Sequence, residues 1–384
     1  MRIGVPKETS PGERRVALVP ESSKKLIQAG YSISVEIGAG DSAGFPDSAY
    51  RDVGVAVEAD PAVVLGSADL VLKVNAPLHR NGNGDEVQWM RRGSIYLGSL
   101  MPLRNLQAVR ALAARGVTAF STDAIPRTTR AQAMDTLSSM ANIAGYKGAL
   151  LGAVELNKYF PMLMTAAGTV PPAKVFVIGA GVAGLQAIAT ARRLGATVFA
   201  TDVRPEVKEQ IESVGAKYVG IELKEGASAG GGYAKELSAE DQLRQRELLA
   251  AQCTQSDVVI TTALIGGVFA PRLISADMVR SMKPGAVIVD LAAEGGGNCE
   301  LSRPGDRVVA DGVTILAPLN LPASMPLHAS LLFSRNLTAF LQAFTKDSGF
   351  QLDLNDVIQQ GAIITHDGVV KHQRTQEALA KAET

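Results

Sequence analysis

The chain has 384 residues, of which 46% are hydrophobic and 20% charged, and its 38 basic residues balance its 38 acidic ones. This length allows two domains with well-buried cores, and the charge balance argues against nucleic acid or an anionic membrane surface as the main partner. Neither Cys253 nor Cys299 has metal-ligand or disulfide spacing, and the start of the chain lacks a secretory signal. No run of about twenty uncharged apolar residues predicts a membrane span. We therefore expect a soluble protein of a reducing cytoplasm.

The first 122 residues alternate short apolar runs with helical patterns. Strands are expected at residues 3–5, 32–37, 69–74 and 117–120, and helices at 21–29 and 103–115. This alternation predicts an α/β domain with a parallel sheet. The domain has no glycine fingerprint of its own.

A long helical pattern extends from residue 130 to about residue 159. Gly145, Gly148 and Gly152 recur along it, which suits close contact with another helix or a sheet despite the cost in helix propensity. We interpret this segment as the connection into a second domain.

The beginning of this helical pattern carries a group of polar side chains. Arg127, Gln132, Asp135 and Ser138 supply a cation, an amide, a carboxylate and a hydroxyl. Because the last three are spaced three residues apart, we expect them on one face of the helix. An amide and a carboxylate together can hold the amide group of a nicotinamide, since each supplies what the other lacks. The alternative is a polar helix start with ordinary capping.

The segment 174–202 predicts a dinucleotide-binding βαβ unit. Residues 175–178 form a continuous apolar run, which is typical of a strand buried on both faces of a parallel sheet. A helical pattern follows at 185–194, and residues 196–200 predict a second buried strand.

Each glycine between the first strand and the helix has its own physical role. Gly179 allows a sharp turn, Gly181 lets a pyrophosphate approach the backbone, and Gly184 lets the helix lie close on the sheet. The N-terminus of the helix then faces the phosphates. Asp202, eighteen residues after Gly184, can meet the adenosine ribose and repel a 2′-phosphate, which favours NAD(H) over NADP(H). Arg204 is a counter-signal, and a glycine-rich turn that serves packing alone is the alternative.

Further elements complete the second domain and lead back to the first. Helices are expected at 205–214 and 275–282, and strands at 257–261, 286–290, 308–309 and 313–316. A helix at 328–344 predicts a return crossing, so that the second domain (136–327) is inserted in the first (1–135 plus 328–384). We expect a hairpin within 362–370 and a frayed, polar end over the last dozen residues.

One long loop, 222–241, lies inside the second domain. Its glycines provide a hinge and Tyr233 an amphipathic side chain, so we interpret it as a mobile lid over the nucleotide. A passive surface insertion is the alternative.

Three segments, 127–147, 177–187 and 290–298, resemble signatures of the proton-translocating NAD(P) transhydrogenase family. The similarity covers essentially the whole chain and points to the peripheral NAD(H)-binding component of that family. It implies an α/β fold of two Rossmann-like, doubly wound parallel-sheet domains, the second inserted in the first, with NAD(H) in the cleft between them.

The resemblance also implies roles for individual residues. Arg127, Gln132, Asp135 and Ser138 would orient the pyrophosphate, the ribose and the carboxamide of NAD(H), as the catalytic set. Tyr233 would sit in a loop that closes on the nucleotide. The residues expected to bind the cofactor are Gly179, Ala180, Gly181, Val182, Gly184, Asp202, Val203, Arg204, Tyr233, Ala263 and Leu264.

The same resemblance implies an assembly. The chain would form a homodimer on the cytoplasmic face of the inner membrane, together with an NADP(H)-binding subunit and a membrane proton-channel subunit. Hydride would pass directly between NAD(H) on this chain and NADP(H) on the partner. No nucleic acid is expected as a partner.

Alanine dehydrogenase, which shares the fold, is the main alternative. That enzyme needs a substrate-binding arginine and lysine, a catalytic histidine and an aspartate. Arg15 and Lys73 stand at the first two positions, but Gly98 replaces the histidine and Glu294 stands at the aspartate position. Gly98 cannot act as the base that amino-acid oxidation requires. Hydride exchange between two nicotinamides moves no proton at the carbon centres, so the missing base favours a transhydrogenase and leaves Arg15 and Lys73 as structural ion-pair residues.

A third alternative is a regulatory subunit that binds NAD without catalysis.

Overall fold

The computed structural model describes residues 1–80, 84–220, 228–229, 233–234, 238–264, 269–347 and 349–382. The chain divides into two compact units. Unit 1 comprises Met1–Met140 and Pro322–Thr384, and unit 2 comprises Ala141–Leu321.

Each unit is built on one large sheet. In chain order, the strands of the two sheets are β1 (Arg2–Val5), β2 (Ser32–Glu36), β3 (Ala56–Glu58), β4 (Leu70–Leu72), β5 (Ile95–Gly98), β6 (Thr118–Ser121), β7 (Lys174–Ile178), β8 (Thr197–Thr201), β9 (Lys217–Tyr218), β10 (Val258–Thr261), β11 (Val287–Asp290), β12 (Arg307–Ala310), β13 (Val313–Leu316), β14 (Ile363–His366) and β15 (Val369–Val370). Short antiparallel pairs outside these sheets join His79–Arg80 to Gly84–Asp85, Leu163–Thr165 to Gly168–Val170, Ser228–Ala229 to Tyr233–Ala234, and Thr345–Lys346 to Gly349–Phe350.

Helices cover or connect these strands. They are α1 (Pro20–Gln28), α2 (Asp47–Arg51), α3 (Pro61–Gly66), α4 (Glu86–Trp89), α5 (Leu106–Arg115), α6 (Thr136–Glu155), α7 (Val182–Arg193), α8 (Lys208–Ser213), α9 (Ala239–Gln255), α10 (Ala276–Arg280), α11 (Pro326–Ala343), α12 (Val357–Ala362) and α13 (Gln373–Lys381).

The sheet of unit 1 has the strand order β15-β14-β6-β5-β4-β1-β2-β3. Strands β1 to β6 pair in parallel, and β14 and β15 add an antiparallel edge. The apolar strand β4 shows why both faces are covered. Leu70 and Leu72 pack into one core with Phe340 of α11, and Val71 packs into the other with Leu112 of α5.

The sheet of unit 2 has the order β9-β8-β7-β10-β11-β13-β12, parallel except for the β12–β13 hairpin. Val175 and Val177 of β7 face a core shared with Ile188 of α7, and Phe176 faces a second core shared with Leu249 of α9. These sheets confirm the predicted α/β class with two Rossmann-like domains.

Strand β7 lies at the switch point of unit 2. The chain leaves β7 for β8 on one side and later returns to β10 on the other side. In such sheets the carboxyl ends of the strands at the switch point border the crevice in which ligands bind. The residues that follow β7, β8 and β10 are therefore the first place to look for a site.

Two expectations near the chain ends have opposite outcomes. The hairpin within 362–370 is confirmed by β14 and β15. The frayed C-terminus is wrong, because residues 373–381 form helix α13. Thr375 is buried there and Leu379 packs against the same core as Trp89, so a narrow apolar stripe anchors a mostly polar helix.

The predicted loop 222–241 ends earlier than expected, because α9 begins at Ala239. Tyr233 belongs to a two-residue strand, and most of the loop lies outside the described residues, so the lid remains a prediction. Within the ranges that the structure describes, no helix is both long and apolar enough to cross a membrane.

Candidate functional site

Two glycines after β7 are required by the packing of unit 2 itself. Gly179 has a φ of +91°, and a Cβ there would lie 2.7 Å from Oγ1 of Thr262. A Cβ on Gly184, in the first turn of α7, would lie only 1.9 Å from the carbonyl oxygen of Gly179. The helix therefore approaches the strand end as closely as a glycine allows.

Gly181 is different, because protein packing does not require a glycine there. It is the N-cap of α7, with φ −73° and ψ −166°, a conformation open to other residues. A Cβ on Gly181 would meet no atom of the described residues within 4 Å beyond its own chain neighbours. The loop thus presents bare backbone at the N-terminus of a twelve-residue helix, where N–H groups and the helix dipole favour an anion. This arrangement fits a pyrophosphate.

The carboxylate of Asp202 links the end of β8 to the glycine loop. It accepts a hydrogen bond of 2.8 Å from the backbone N–H of Ala180, which is buried. Arg204 donates to the same carboxylate from Nε at 2.9 Å and from Nη2 at 2.9 Å, and these bonds raise the pKa of Arg204. Arg204, the counter-signal to NAD(H), is thus engaged with the ribose-binding candidate itself. Val203 lies between them and is half-buried, and Val182 is partly exposed on α7.

The segment after β10 borders the glycine loop. Thr262 Oγ1 donates to the carbonyl oxygen of Gly179 at 3.0 Å. Next along the chain, the backbone of Ala263 is held on both sides by Asn298, which accepts from its N–H at 3.0 Å and donates to its carbonyl at 2.9 Å. Leu264 is 37% exposed. The structure therefore brings Ala263 to the glycine loop through Thr262.

The predicted helical face at residues 132–138 is wrong. Gln132 lies in a 3-10 helix, Thr129–Met134, and Asp135 interrupts the helical geometry with a ψ of 88° before α6 begins at Thr136. Asp135 instead caps α6, since its Oδ1 accepts from the backbone N–H of Ser138 at 2.8 Å and its Oδ2 from the Ser138 hydroxyl at 2.6 Å. An aspartate competes well for a helix N-terminus, so the helix starts after it and not before it.

The 3-10 helix nevertheless presents Gln132 in a fixed way. Ala131 and Met134 are buried in the core of unit 1, and Asn336 of α11 donates to the carbonyl of Ala133 at 2.8 Å. Gln132 is exposed between these anchors, and its side chain has no hydrogen bond to any of the described residues. Arg127 is also exposed.

Lys73 and Arg15, the residues shared with the alternative enzyme, belong to ion pairs of unit 1. The fully buried Lys73 Nζ lies 3.2 Å from Glu8 Oε2 and 3.1 Å from Glu86 Oε2. Burial alone would lower the pKa of Lys73, but the two carboxylates outweigh it and the pKa is raised. Lys73 is thus held as an ammonium ion.

Arg15 is bound in the same manner. Its Nη2 lies 2.7 Å from Glu13 Oε2, and Glu13 also accepts from Asn75 at 3.0 Å. Burial alone would raise the pKa of Glu13, but the hydrogen bonds and charge of Arg15 lower it to about 2.

The position of Gly98 has no room for a side chain. A Cβ there would lie 2.4 Å from the carbonyl oxygen of Lys73 and 2.7 Å from the Tyr96 hydroxyl. Tyr96 in turn donates to the Asn75 carbonyl at 2.8 Å, so it is not free to move away. Gly98 therefore does more than omit a histidine: the backbone around it excludes one.

The sequence profile of the alanine dehydrogenase/PNT N-terminal domain matches residues 4–144, and that of the C-terminal domain matches residues 148–373. The chain belongs to the alanine dehydrogenase/PNT family.

Within this family the transhydrogenases are more similar to the chain than the alanine dehydrogenases are. The first of the chains that make up NAD(P) transhydrogenase subunit alpha in Rhodospirillum rubrum is 46% identical over 376 residues, which cover 97% of this chain and 98% of that protein. A solved transhydrogenase from Sinorhizobium meliloti matches with a TM-score of 0.87 and 43% identity, over 96% of this chain and 100% of that one. Alanine dehydrogenase of Halomonas elongata is 30% identical over 387 residues, covering 99% of this chain and 97% of that protein. The resemblance drawn from the three sequence segments is confirmed.

Sequence reasoning missed two features of this family member. Asn298 lies within the segment 290–298, yet its fully buried position and its bonds to Ala263 link residues 35 apart in the chain. The bond from Ala180 to Asp202 gives that carboxylate a structural role in addition to the expected one. An uncharged amide within a glycine-rich segment is the only local signal for the first, and nothing local signals the second.

Proposed function

We propose that this chain is the NAD(H)-binding component of a proton-translocating transhydrogenase. Hydride passes directly between NAD(H) on this chain and NADP(H) on a partner subunit. Proton movement is coupled in a separate membrane component, with this chain peripheral on the cytoplasmic face of the inner membrane. The names of the transhydrogenase relatives support this proposal.

The observation that carries NAD(H) binding is the contrast among three glycines. Packing explains Gly179 and Gly184, and only an approaching ligand explains Gly181. In the proposal, the N–H groups at the start of α7 hold the pyrophosphate and Asp202 meets the adenosine ribose. The bound NAD(H) supplies the hydride.

In the proposal, Arg127, Gln132, Asp135 and Ser138 orient the nucleotide. Gln132 is exposed on an anchored turn, so its amide is available to a carboxamide without first breaking a bond to the described residues. Asp135 and Ser138 act as a bonded pair. Tyr233 is proposed to close over the nucleotide as part of the lid.

The closed environment of Gly98 supports hydride exchange over amino-acid oxidation. Oxidation of an amino acid needs a base and a cation for the substrate carboxylate. Here the base position excludes a side chain, and the ammonium of Lys73 already faces two carboxylates of its own chain. Exchange between two nicotinamides needs alignment and exclusion of water instead.

We further propose that the chain is a homodimer. Unit 2 exposes a run of large apolar side chains at the end of α6 and in the hairpin that follows: Val154 is 86% exposed, Tyr159 60%, Met162 56% and Met164 79%. An apolar surface of this kind is typical of a protein–protein contact. Met164→Asp should give a monomer in sedimentation analysis, and an unchanged dimer would contradict this choice of surface.

The decisive experiment is direct transfer of label from NADH deuterated at C4 to a thio-analogue of NADP, in a mixture of this chain with an NADP(H)-binding partner. Label in the reduced thio-NADP supports the proposal, and label appearing in solvent, or no transfer at all, contradicts it. Oxidation of NADH by the isolated chain with pyruvate and ammonia would favour the alanine dehydrogenase alternative.

Gln132→Asn tests the orienting role. The shorter amide should slow hydride transfer far more than it weakens NADH binding, because binding relies on the glycine loop. Equal losses in both would mean that Gln132 is only a binding group.

A further inference from the structure

A buried amide holds together the backbone that follows β10. Asn298 is fully buried, and its side chain bonds to backbone groups on both sides of a short segment. Oδ1 accepts from the Ala263 N–H at 3.0 Å, and Nδ2 donates to the carbonyl oxygens of Ala263 at 2.9 Å and Pro271 at 2.8 Å. The amide therefore joins both ends of the segment 263–271.

Asn298 is itself fixed. Its carbonyl oxygen accepts from the N–H groups of Leu273 at 2.8 Å and Ile274 at 3.0 Å. The next residue, Cys299, donates its N–H to the buried Asp290 at 3.0 Å, and Asp290 also accepts from the hydroxyl of Thr261 at 2.9 Å. Backbone bonds and a buried carboxylate thus hold the amide in place before it binds Ala263.

The held backbone lies against the glycine loop. Thr262 Oγ1 donates to the carbonyl of Gly179, and a Cβ on Gly179 would lie 3.3 Å from the Ala263 nitrogen. A displacement of Ala263 would therefore move Thr262 and release the Gly179 carbonyl. That carbonyl is the group on which Gly184 and the start of α7 pack.

We infer that Asn298 is a positioning residue for the dinucleotide: it holds residues 262–264 in the geometry that sets the glycine loop. This inference rests on the proposed NAD(H) site. Asn298 touches no ligand in this scheme and acts through Ala263 and Thr262. Because a fully buried amide that satisfies one donor and two acceptors has no simple substitute, its side chain is required for shape and for polarity.

Asn298→Asp tests the inference, because the introduced carboxyl has nearly the same shape but a titratable charge. When protonated, it can accept from the Ala263 N–H and donate one hydrogen bond, as the amide does. When ionised, it faces the carbonyl oxygens of Ala263 and Pro271 and repels them. Burial and these carbonyls raise the pKa of the introduced group, so its ionisation is expected within an accessible pH range.

The measurement is the dissociation constant of NADH for the wild type and the variant, by intrinsic fluorescence or calorimetry, expressed as a variant-to-wild-type ratio. It covers pH values from about 5.5 to about 9, a range above the ordinary pKa of an aspartate. We expect the ratio to be near one at the acid end and to rise about tenfold at the alkaline end, the size of a lost buried hydrogen bond. Circular dichroism at each pH confirms that the chain stays folded. A ratio that does not change with pH would overturn the inference.

Two further variants separate positioning from general stability. Thr262→Val removes the bond to the Gly179 carbonyl at almost constant shape, and it should weaken NADH binding about tenfold without pH dependence. Ser256→Ala removes a buried hydroxyl that donates to the Gln252 carbonyl at 2.8 Å, next to the opposite end of β10, and it should lower stability while leaving NADH affinity unchanged. Equal affinities for Thr262→Val and Ser256→Ala would also overturn the inference, and they remain informative if Asn298→Asp fails to fold.

This experiment distinguishes the two proposals. Absence of NADH binding by the wild type would refute the proposed function at its first step. Normal wild-type binding with a flat ratio would refute only the role of Asn298.

Discussion

Substitution of two neighbouring glycines by alanine should separate the packing role of the glycine loop from its binding role. In Gly184→Ala the new Cβ would lie 1.9 Å from the carbonyl oxygen of Gly179. An ordinary contact needs more than 3 Å, so backbone must move by about 1 Å. Overpacking of this kind costs about 1–3 kcal/mol, and a backbone carbonyl yields less easily than a side chain, so we expect about 3 kcal/mol.

In Gly181→Ala, by contrast, the new Cβ meets none of the described protein atoms and the backbone conformation suits alanine. The loss of a glycine N-cap costs at most about 1 kcal/mol. If a pyrophosphate contacts this backbone, the same methyl group should weaken NADH binding by roughly 10- to 100-fold, which corresponds to a steric cost of about 1–3 kcal/mol.

Thermal unfolding and NADH titration of both variants measure these effects. For a unit of about 180 residues, 3 kcal/mol should lower the melting temperature by about 6–12 °C in Gly184→Ala, and Gly181→Ala should stay within about 4 °C of the wild type. The reasoning is refuted if Gly181→Ala binds NADH as the wild type does, or if Gly184→Ala melts at the wild-type temperature.

Three further predictions concern the ion pairs and the closed position in unit 1. Lys73→Met should lower stability by about 3–5 kcal/mol, because it leaves two buried carboxylates without their cation; chemical denaturation measures this, and an unchanged midpoint would argue against the buried pair. The depressed pKa of Glu13, about 2, gives a contribution to stability that is fully present above the ordinary pKa of 4.5 and is lost as the pH falls toward 2; in Arg15→Ala the acid-induced loss of stability over this range should be smaller, and an identical acid-unfolding profile would contradict it. Gly98→His should destabilise the chain and produce no NADH oxidation with pyruvate and ammonia, since a side chain meets the Lys73 carbonyl at 2.4 Å; measurable turnover would revive amino-acid oxidation.

The dinucleotide motif could be read from the sequence because its signals are local. Four consecutive apolar residues in β7, three glycines at fixed spacing and an acid after β8 each act within a few residues of their own position. The second function of Asp202 could not be read in this way, since its acceptance from Ala180 joins groups 22 residues apart. The bonds of Asn298 to Ala263 are non-local in the same sense.

The failures have physical causes as well. A spacing of three residues places side chains on one face only if the helix is continuous, and Asp135 ends that continuity by capping the helix that follows it. At the C-terminus, polar composition suggested fraying, but Thr375 and Leu379 are enough to hold α13 on the core of unit 1. In both cases a few specific contacts decide the outcome against an average property of the segment.

The two sheets show that topology alone does not make a nucleotide site. Each places its first strand, β1 in unit 1 and β7 in unit 2, between its second and fourth strands in chain order, so both have a switch point. In unit 1, the groups that follow the strands bind one another: Glu8, after β1, accepts from the Val74 N–H at 2.6 Å and pairs with Lys73, after β4. In unit 2, the corresponding backbone begins a helix at Gly181, with no described protein group against it. The unit whose own charges occupy its switch point has no need of a ligand there, and the unit that leaves bare N–H groups at a helix start does, which is why the NAD(H) phosphates are assigned to unit 2 alone.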